Sequence, residues 1–229
     1  LVDPNSPTGI YFIDPAPEGR NFTYYRAGSA ASRMSSISSS RALLSRTAIL
    51  HLSAITQAIS IASTEPSFEA IGIVKKNGGR VSYDTNLRLN LWDLEEARRV
   101  INETLTQVDI LLPSLDEAQI LTGLDNTEDI LNFYLQFEPE ILALKCGIEG
   151  AIVICEGRKE YIPASNVNAI DTSGAGDTFA GAFLAQLIQG ESPFEAARFA
   201  VVASGISVQG YGAMAPIPNR KQVLRAMER

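Results

Sequence analysis

Cysteine is nearly missing from this chain of 229 residues: only Cys146 and Cys155 occur. Two thiols around a short apolar stretch make no disulfide framework. They are expected to be reduced core residues of a cytoplasmic protein. Histidine occurs once, at His51. It lies on a stretch of apolar alternation and reads as a core or rim residue, not a base or a ligand. No His, Cys and acid cluster has zinc spacing, so no resident metal is expected. Positive charge is short too, with 19 Lys and Arg against 26 Asp and Glu and a net charge of −7. A chain with no basic surplus is not built to neutralise nucleic acid or an anionic membrane. An anionic small molecule, which needs only local positive groups, is still allowed. No apolar run approaches a membrane span, and no basic-then-apolar leader is present. The first methionine is Met34, so the natural N-terminus is expected to be missing or processed. Neither a Walker loop nor a dinucleotide fingerprint occurs, and no internal repeat is visible.

What is present is an ordinary globular composition, 45% hydrophobic and 20% charged, large enough for one large or two small domains. Residues 8–13 and 21–26 read as two aromatic strands around the turn-forming Asp-Pro-Ala-Pro-Glu-Gly-Arg. Residues 34–44 read as a Ser-rich loop entering a short helix. Short apolar strands are expected at 47–53, 80–85, 108–113, 140–145 and 151–156. Helical periodicity falls near 56–76, 94–107, 115–122 and 127–136, and three helices at about 176–189, 192–208 and 219–228 close the chain. This alternation predicts an α/β fold with a largely parallel sheet flanked by helices. Residues 1–33 form a small β hairpin, and 34–229 form the α/β body. Ligands of such sheets bind beyond the carboxyl ends of the strands.

The stretch Asp171-Thr-Ser-Gly-Ala-Gly-Asp177 sits at such an end. Phe179, Phe183 and Leu187 recur every four residues, so a helix begins near Gly176. A helix N-terminus offers free N–H groups and a positive dipole end, and Gly174 and Gly176 let an anion approach the backbone. With Ala175 they read as an anion hole. Asp177 would repel an anion. It makes chemical sense as the carboxylate that takes a proton from a hydroxyl attacking phosphorus. Two other cations have competing readings. Lys145, beside Gly147 and Gly150, either meets phosphate oxygens or caps a turn. Arg88, after the strand at 80–85, is either a ligand group or a surface residue. The stretch Tyr24-Tyr25-Arg26 is either a lid arm or a solvated strand with one aromatic face on the core.

Asp-Thr-Ser-Gly-Ala-Gly-Asp followed by Thr-Phe-Ala-Gly-Ala-Phe closely resembles the C-terminal signature of the ribokinase-like (PfkB) sugar kinases. The segments at 8–11, 24–30, 51–56 and 84–92 are most similar to the 2-keto-3-deoxygluconate kinases of that family. The resemblance spans the chain in order, and the family's N-terminal part is expected to be absent here. It implies ATP-dependent phosphorylation of the terminal hydroxyl of a sugar acid, with Mg²⁺ carried by ATP. Asp177 would be the catalytic base. Tyr11, Tyr24, Arg26, Ile55 and Arg88 would line the sugar-acid site. Asn86 and Arg88 would approach the phosphates. Ser114 and Glu117 would stand in the family's Asn-x-x-Glu, with Glu117 organising Mg²⁺. Lys145, Gly147, Gly150 and Ala151 would belong to the nucleotide loop. The family also implies a homo-oligomer, a dimer through the lid strands at Tyr11, Phe12, Tyr24 and Tyr25. Ala213 stands where many ketodeoxygluconate kinases carry an acid. That keeps open a neutral substrate such as fructose or ribose and, in another class, a non-catalytic nucleotide-binding module.

Overall fold

The computed structural model describes residues 2–16, 19–37 and 40–228. The aromatic hairpin forms as expected, from β1 (Ile10–Ala16) and β2 (Gly19–Tyr25), paired antiparallel with Tyr11 opposite Tyr24. Both strands run further into the turn-forming stretch than its composition suggests. Pro15 is tolerated because the edge of a two-stranded ribbon needs no N–H there. The tip of the expected turn, residues 17–18, lies outside the described residues. The Tyr11 and Tyr24 rings lie 5.9 Å apart, and Phe12 and Tyr25 meet edge to face at 5.8 Å, the offset geometry that ring quadrupoles favour.

Beyond α1 (Arg41–Leu44) and β3 (Ile49–Ser53), the single helix expected over 56–76 is two: α2 (Ala54–Ala58) and α3 (Ile61–Lys76). Ser60 causes the break. Its backbone is extended, its hydroxyl donates to the Ser32 carbonyl at 2.7 Å, and its side chain joins Ser63 in a capping box for α3. Serine competes with the helix ladder in this way and favours caps over interiors. After β4 (Arg80–Asp84), α4 (Leu94–Leu105) starts at Asp93, which accepts from the Glu96 amide at 2.8 Å. It buries Ala97, Val100, Ile101 and Leu105, an i, i+3, i+4, i+8 stripe. Burial of each Val, Ile or Leu there contributes about 1.5–3 kcal/mol.

Strand β5 shrinks to Ile110–Leu111; Leu112 donates to the Tyr83 carbonyl, and Pro113, which has no N–H, still accepts from the Lys145 amide at 2.8 Å. Helices α5 (Leu115–Thr122) and α6 (Thr127–Leu135) lead to β6 (Ile141–Lys145), β7 (Gly150–Cys155) and β8 (Arg158–Pro163). Strand β8 was not expected. The Glu156-Gly157 turn has both φ values positive, 51° and 73°, as a tight hairpin connection requires. Helices α7 (Ala175–Ile188), α8 (Pro193–Ser207) and α9 (Arg220–Met227) complete the chain.

The larger sheet is ordered β3-β4-β5-β6-β7-β8. Pairing is parallel from β4 to β6 and antiparallel from β6 to β8. The α/β class with a mostly parallel, helix-flanked sheet and a separate hairpin is as expected; β8 extends its antiparallel end.

The chain divides into two compact units: Leu1–Val81 with Asn86–Gln107, and Ser82–Thr85 with Val108–Arg229. In the first, Leu44, Ala70 and Val74 form a core cluster joined by Leu50 and Ile73, and the buried Gln57 amide donates to Thr104 Oγ1 at 2.9 Å. In the second, Tyr83, Ile110, Leu142 and Phe183 are fully buried, and Phe199, Ala203 and Val223 form a further cluster.

Candidate active site

The turn before α7 is organised by Asp171. One carboxylate oxygen accepts from the Ser173 amide and the other from the Gly212 amide, each at 2.9 Å. The turn is thereby tied to the loop that carries Ala213. Gly174 then adopts the left-handed conformation, φ 72°, which an L side chain resists. Space is tight as well, because a Cβ on Gly174 would stand 3.0 Å from the Ala213 carbonyl oxygen and that loop would have to give slightly. The helix follows at once, with the Thr178 amide donating to the Gly174 carbonyl at 2.8 Å. Phe179 and Phe183 stack at 5.8 Å and anchor the first turns in the core.

Asp177 is exposed on that first turn, and its carboxylate makes no hydrogen bond or ion pair among the described residues. Gly176 lies beside the Lys145 ammonium. A Cβ there would lie 3.4 Å from Lys145 Nζ, so the ammonium stands directly against the helix start. Lys145, at the end of β6, forms a 2.6 Å ion pair with Asp84, at the end of β4.

Lys145 and Gly176 line a cavity of about 540 Å³. Of the residues expected at the nucleotide, Ser114, Gly147 and Gly150 also line it, as does Ala175, expected in the anion hole. Its apolar wall includes Ile148, which lies within the expected nucleotide loop, and Val167, Phe179, Val201 and Val208, which were not expected there. Ala151 is fully buried within β7, opposite Ile162 of β8. Gly150 has φ 108°, and a Cβ there would meet the Ile162 carbonyl oxygen at 2.1 Å. Its glycine is therefore required by the strand beside it, whatever the ligand. Glu117 is half-buried on α5 and accepts a hydrogen bond from Thr85 Oγ1 at 3.4 Å. Burial, with the Glu117 charge added, pushes the Tyr134 phenol well above its usual range. Two hydroxyls of the α7 region, Ser173 Oγ and Thr178 Oγ1, are buried without a partner.

The expected sugar-side residues lie in the first unit. Asn86 takes a positive φ of 24°, and its amide donates to Ser53 Oγ at 2.9 Å. Arg88 is half-buried and donates to the Leu87 carbonyl at 2.6 Å. Arg26 is half-buried at the turn after β2, where the Ser29 amide closes onto its carbonyl at 3.0 Å. Tyr11 and Tyr24 face each other on the hairpin, and Ile55 is half-buried on α2. His51 is exposed on β3, so it is not a core residue. Asp84 is the functional candidate that sequence reasoning passed over. The available signal was a carboxylate at the end of a strand otherwise destined for burial.

A helix start, a lysine held against it and a cavity with an apolar wall make up the candidate site. Residues 1–220 match the family described as pfkB family carbohydrate kinase, and the chain belongs to that family. It is 36% identical over 234 residues to a 2-dehydro-3-deoxygluconokinase of Thermoproteus tenax, covering 99% of this chain and 71% of that protein. It is 32% identical over 239 residues to Fructokinase-1 of Oryza sativa subsp. japonica, covering 100% of this chain and 73% of that one. The crystal structure of a PfkB protein from Polaromonas sp. JS666 superposes with a TM-score of 0.86 at 29% identity, covering 98% of this chain and 72% of that chain. The protein is a sugar kinase with the ribokinase-like fold. Among the described residues no helix is long and apolar enough to cross a membrane.

Proposed function

We propose that this kinase transfers the γ-phosphoryl group of ATP to the terminal hydroxyl of 2-keto-3-deoxygluconate. The observation that carries the reading is the first turn of α7. It presents Gly176 against the Lys145 ammonium and, one residue on, the unpaired exposed carboxylate of Asp177. The cavity suits a nucleotide. Its apolar wall, with Phe179 and Val201, offers a surface for a base, and its polar end, with Lys145 and Gly176, offers charge for phosphates. Asp177 would accept the proton of the substrate hydroxyl as that oxygen attacks phosphorus and ADP departs. The α7 N-terminus would hold the charge that develops on the transferred group. Mg²⁺ arriving with ATP would neutralise phosphate charge, with Glu117 as the carboxylate that organises it. Asn86 would meet the phosphates, and Arg26 and Arg88 the substrate carboxylate, which guanidinium recognises in a bidentate way. Tyr11, Tyr24 and Ile55 would supply the remaining sugar contacts.

A neutral sugar is the second reading. Ala213 supports it, since this loop brings no acid to the turn, and so does the identity to a fructokinase. The test is ADP release from Mg-ATP with 2-keto-3-deoxygluconate, gluconate, fructose and ribose side by side. Turnover with the keto acid is expected; turnover with fructose or ribose alone would move the substrate and keep the chemistry. The exposed Tyr11, Phe12 and Tyr25 support pairing of two copies through the hairpin. Sedimentation of a Phe12→Ser variant as the same species as wild type would remove that idea.

A further inference from the structure

We propose that Asp84 is a positioning residue for the nucleotide phosphates, acting through Lys145; the inference rests on the kinase reading above. The Asp84 carboxylate accepts from Lys145 Nζ at 2.6 Å, and the two side chains are only 4% and 11% exposed. Asp84 is the one partner of the Lys145 ammonium among the described residues. An ammonium has three donors, so two remain. The ammonium lines the cavity and stands where a Cβ on Gly176 would be 3.4 Å away.

That place is unfavourable for a cation on its own, because the N-terminus of a helix is the positive end of its dipole. A lysine on a flexible stem would leave it for solvent unless a carboxylate fixed it. Asp84 supplies that hold. The result is two positive groups, the α7 N-terminus and Lys145, kept side by side with spare donors. A polyphosphate would accept from both. The next residue does similar work, since Thr85 Oγ1 holds Glu117. The end of β4 thus positions both of the charged groups assigned to nucleotide and metal.

A competing account makes Asp84 only a neutraliser of buried charge. The two accounts predict opposite signs. Removing a negative charge beside an anion site tightens anion binding if charge alone matters. It weakens binding if Lys145 loses its place.

The experiment is calorimetric titration with Mg-ADP, without sugar, of wild type, Asp84→Asn, Asp84→Glu, Lys145→Met and the double variant Asp84→Asn/Lys145→Met. Asp84→Asn is expected to weaken binding by roughly tenfold, the scale of one charge-assisted hydrogen bond. Lys145→Met should weaken it at least as much, and the double variant no more than Lys145→Met alone, because the two act as one unit. Asp84→Glu should recover part of the loss. Tighter or unchanged binding in folded Asp84→Asn overturns the proposal, as do losses that add in the double variant. If Asp84→Asn does not fold, since it leaves a buried cation unpaired, the double variant carries neither charge and decides alone. Affinity equal to that of Lys145→Met supports the proposal, and a further loss overturns it. Wild type that binds Mg-ADP yet phosphorylates no sugar overturns the substrate reading and leaves this one standing; wild type that binds no nucleotide overturns both.

Discussion

Gly174 and Ala213 are in contact across 39 residues of sequence: a Cβ on Gly174 would stand 3.0 Å from the Ala213 carbonyl oxygen and 3.1 Å from its methyl. The turn before α7 is therefore moulded against the loop that follows α8, with Asp171 fastening the two through the Gly212 amide.

Gly174→Ala meets both obstacles, a positive φ of 72° and an occupied space. It is expected to destabilise the fold by about 1 kcal/mol or more, since alanine resists the left-handed region. Turnover should fall further than stability, because the proposed anion hole would shift with the turn. Thermal unfolding and ADP release on one preparation check this. An unchanged melting temperature would mean that the loop yields.

Gly150→Ala is expected to be the harsher substitution. The new methyl would meet the Ile162 carbonyl at 2.1 Å, and that neighbour is strand backbone. Overpacking of a closed interior costs about 1–3 kcal/mol, and here an unfavourable φ adds to it. Urea midpoints would show Gly150→Ala below Gly174→Ala; the reverse order would place the strain at the turn before α7 instead.

Acid stability should depend in part on Glu160. Arg198, and behind it Arg158, hold its carboxyl below the usual glutamate value, mainly through the hydrogen bond from Arg198. A folded-state pKa below the unfolded one means stability that is present above the unfolded value. It is lost as pH falls through the folded value. Glu160→Gln should flatten that decline on the acid side, from about pH 4.5 downward. The effect is small, since the half-buried group is paired at the surface and screened. Parallel denaturation curves from pH 7 to pH 3 for wild type and variant test it, and identical slopes would count against it.

The sequence exposed the parts of this molecule that depend on local order. The turn before α7 could be located because glycines, an acid and a four-residue apolar repeat are contiguous. The β6 run, Ile141–Lys145, is apolar enough to mark a buried strand. The parts that stayed hidden have identifiable reasons. Strand β8 is mostly polar and follows Glu-Gly, a weaker hairpin signal than Asn-Gly or Asp-Gly. The break at Ser60 depends on a hydrogen bond to Ser32, 28 residues away. The partner of Lys145 lies 61 residues earlier in the chain, and a pairing at that distance leaves no local trace. Gly150 read as a point of ligand approach because a strand that had not been foreseen occupies the space in question.

The most direct test of the phosphoryl-transfer account is Asp177→Asn, which keeps shape and removes the base. ADP release with 2-keto-3-deoxygluconate and Mg-ADP affinity would be measured on the same sample. The account predicts turnover lower by roughly 10²–10⁴-fold, the usual weight of a general base, with nucleotide affinity unchanged or slightly tighter. Turnover within a few-fold of wild type would contradict it.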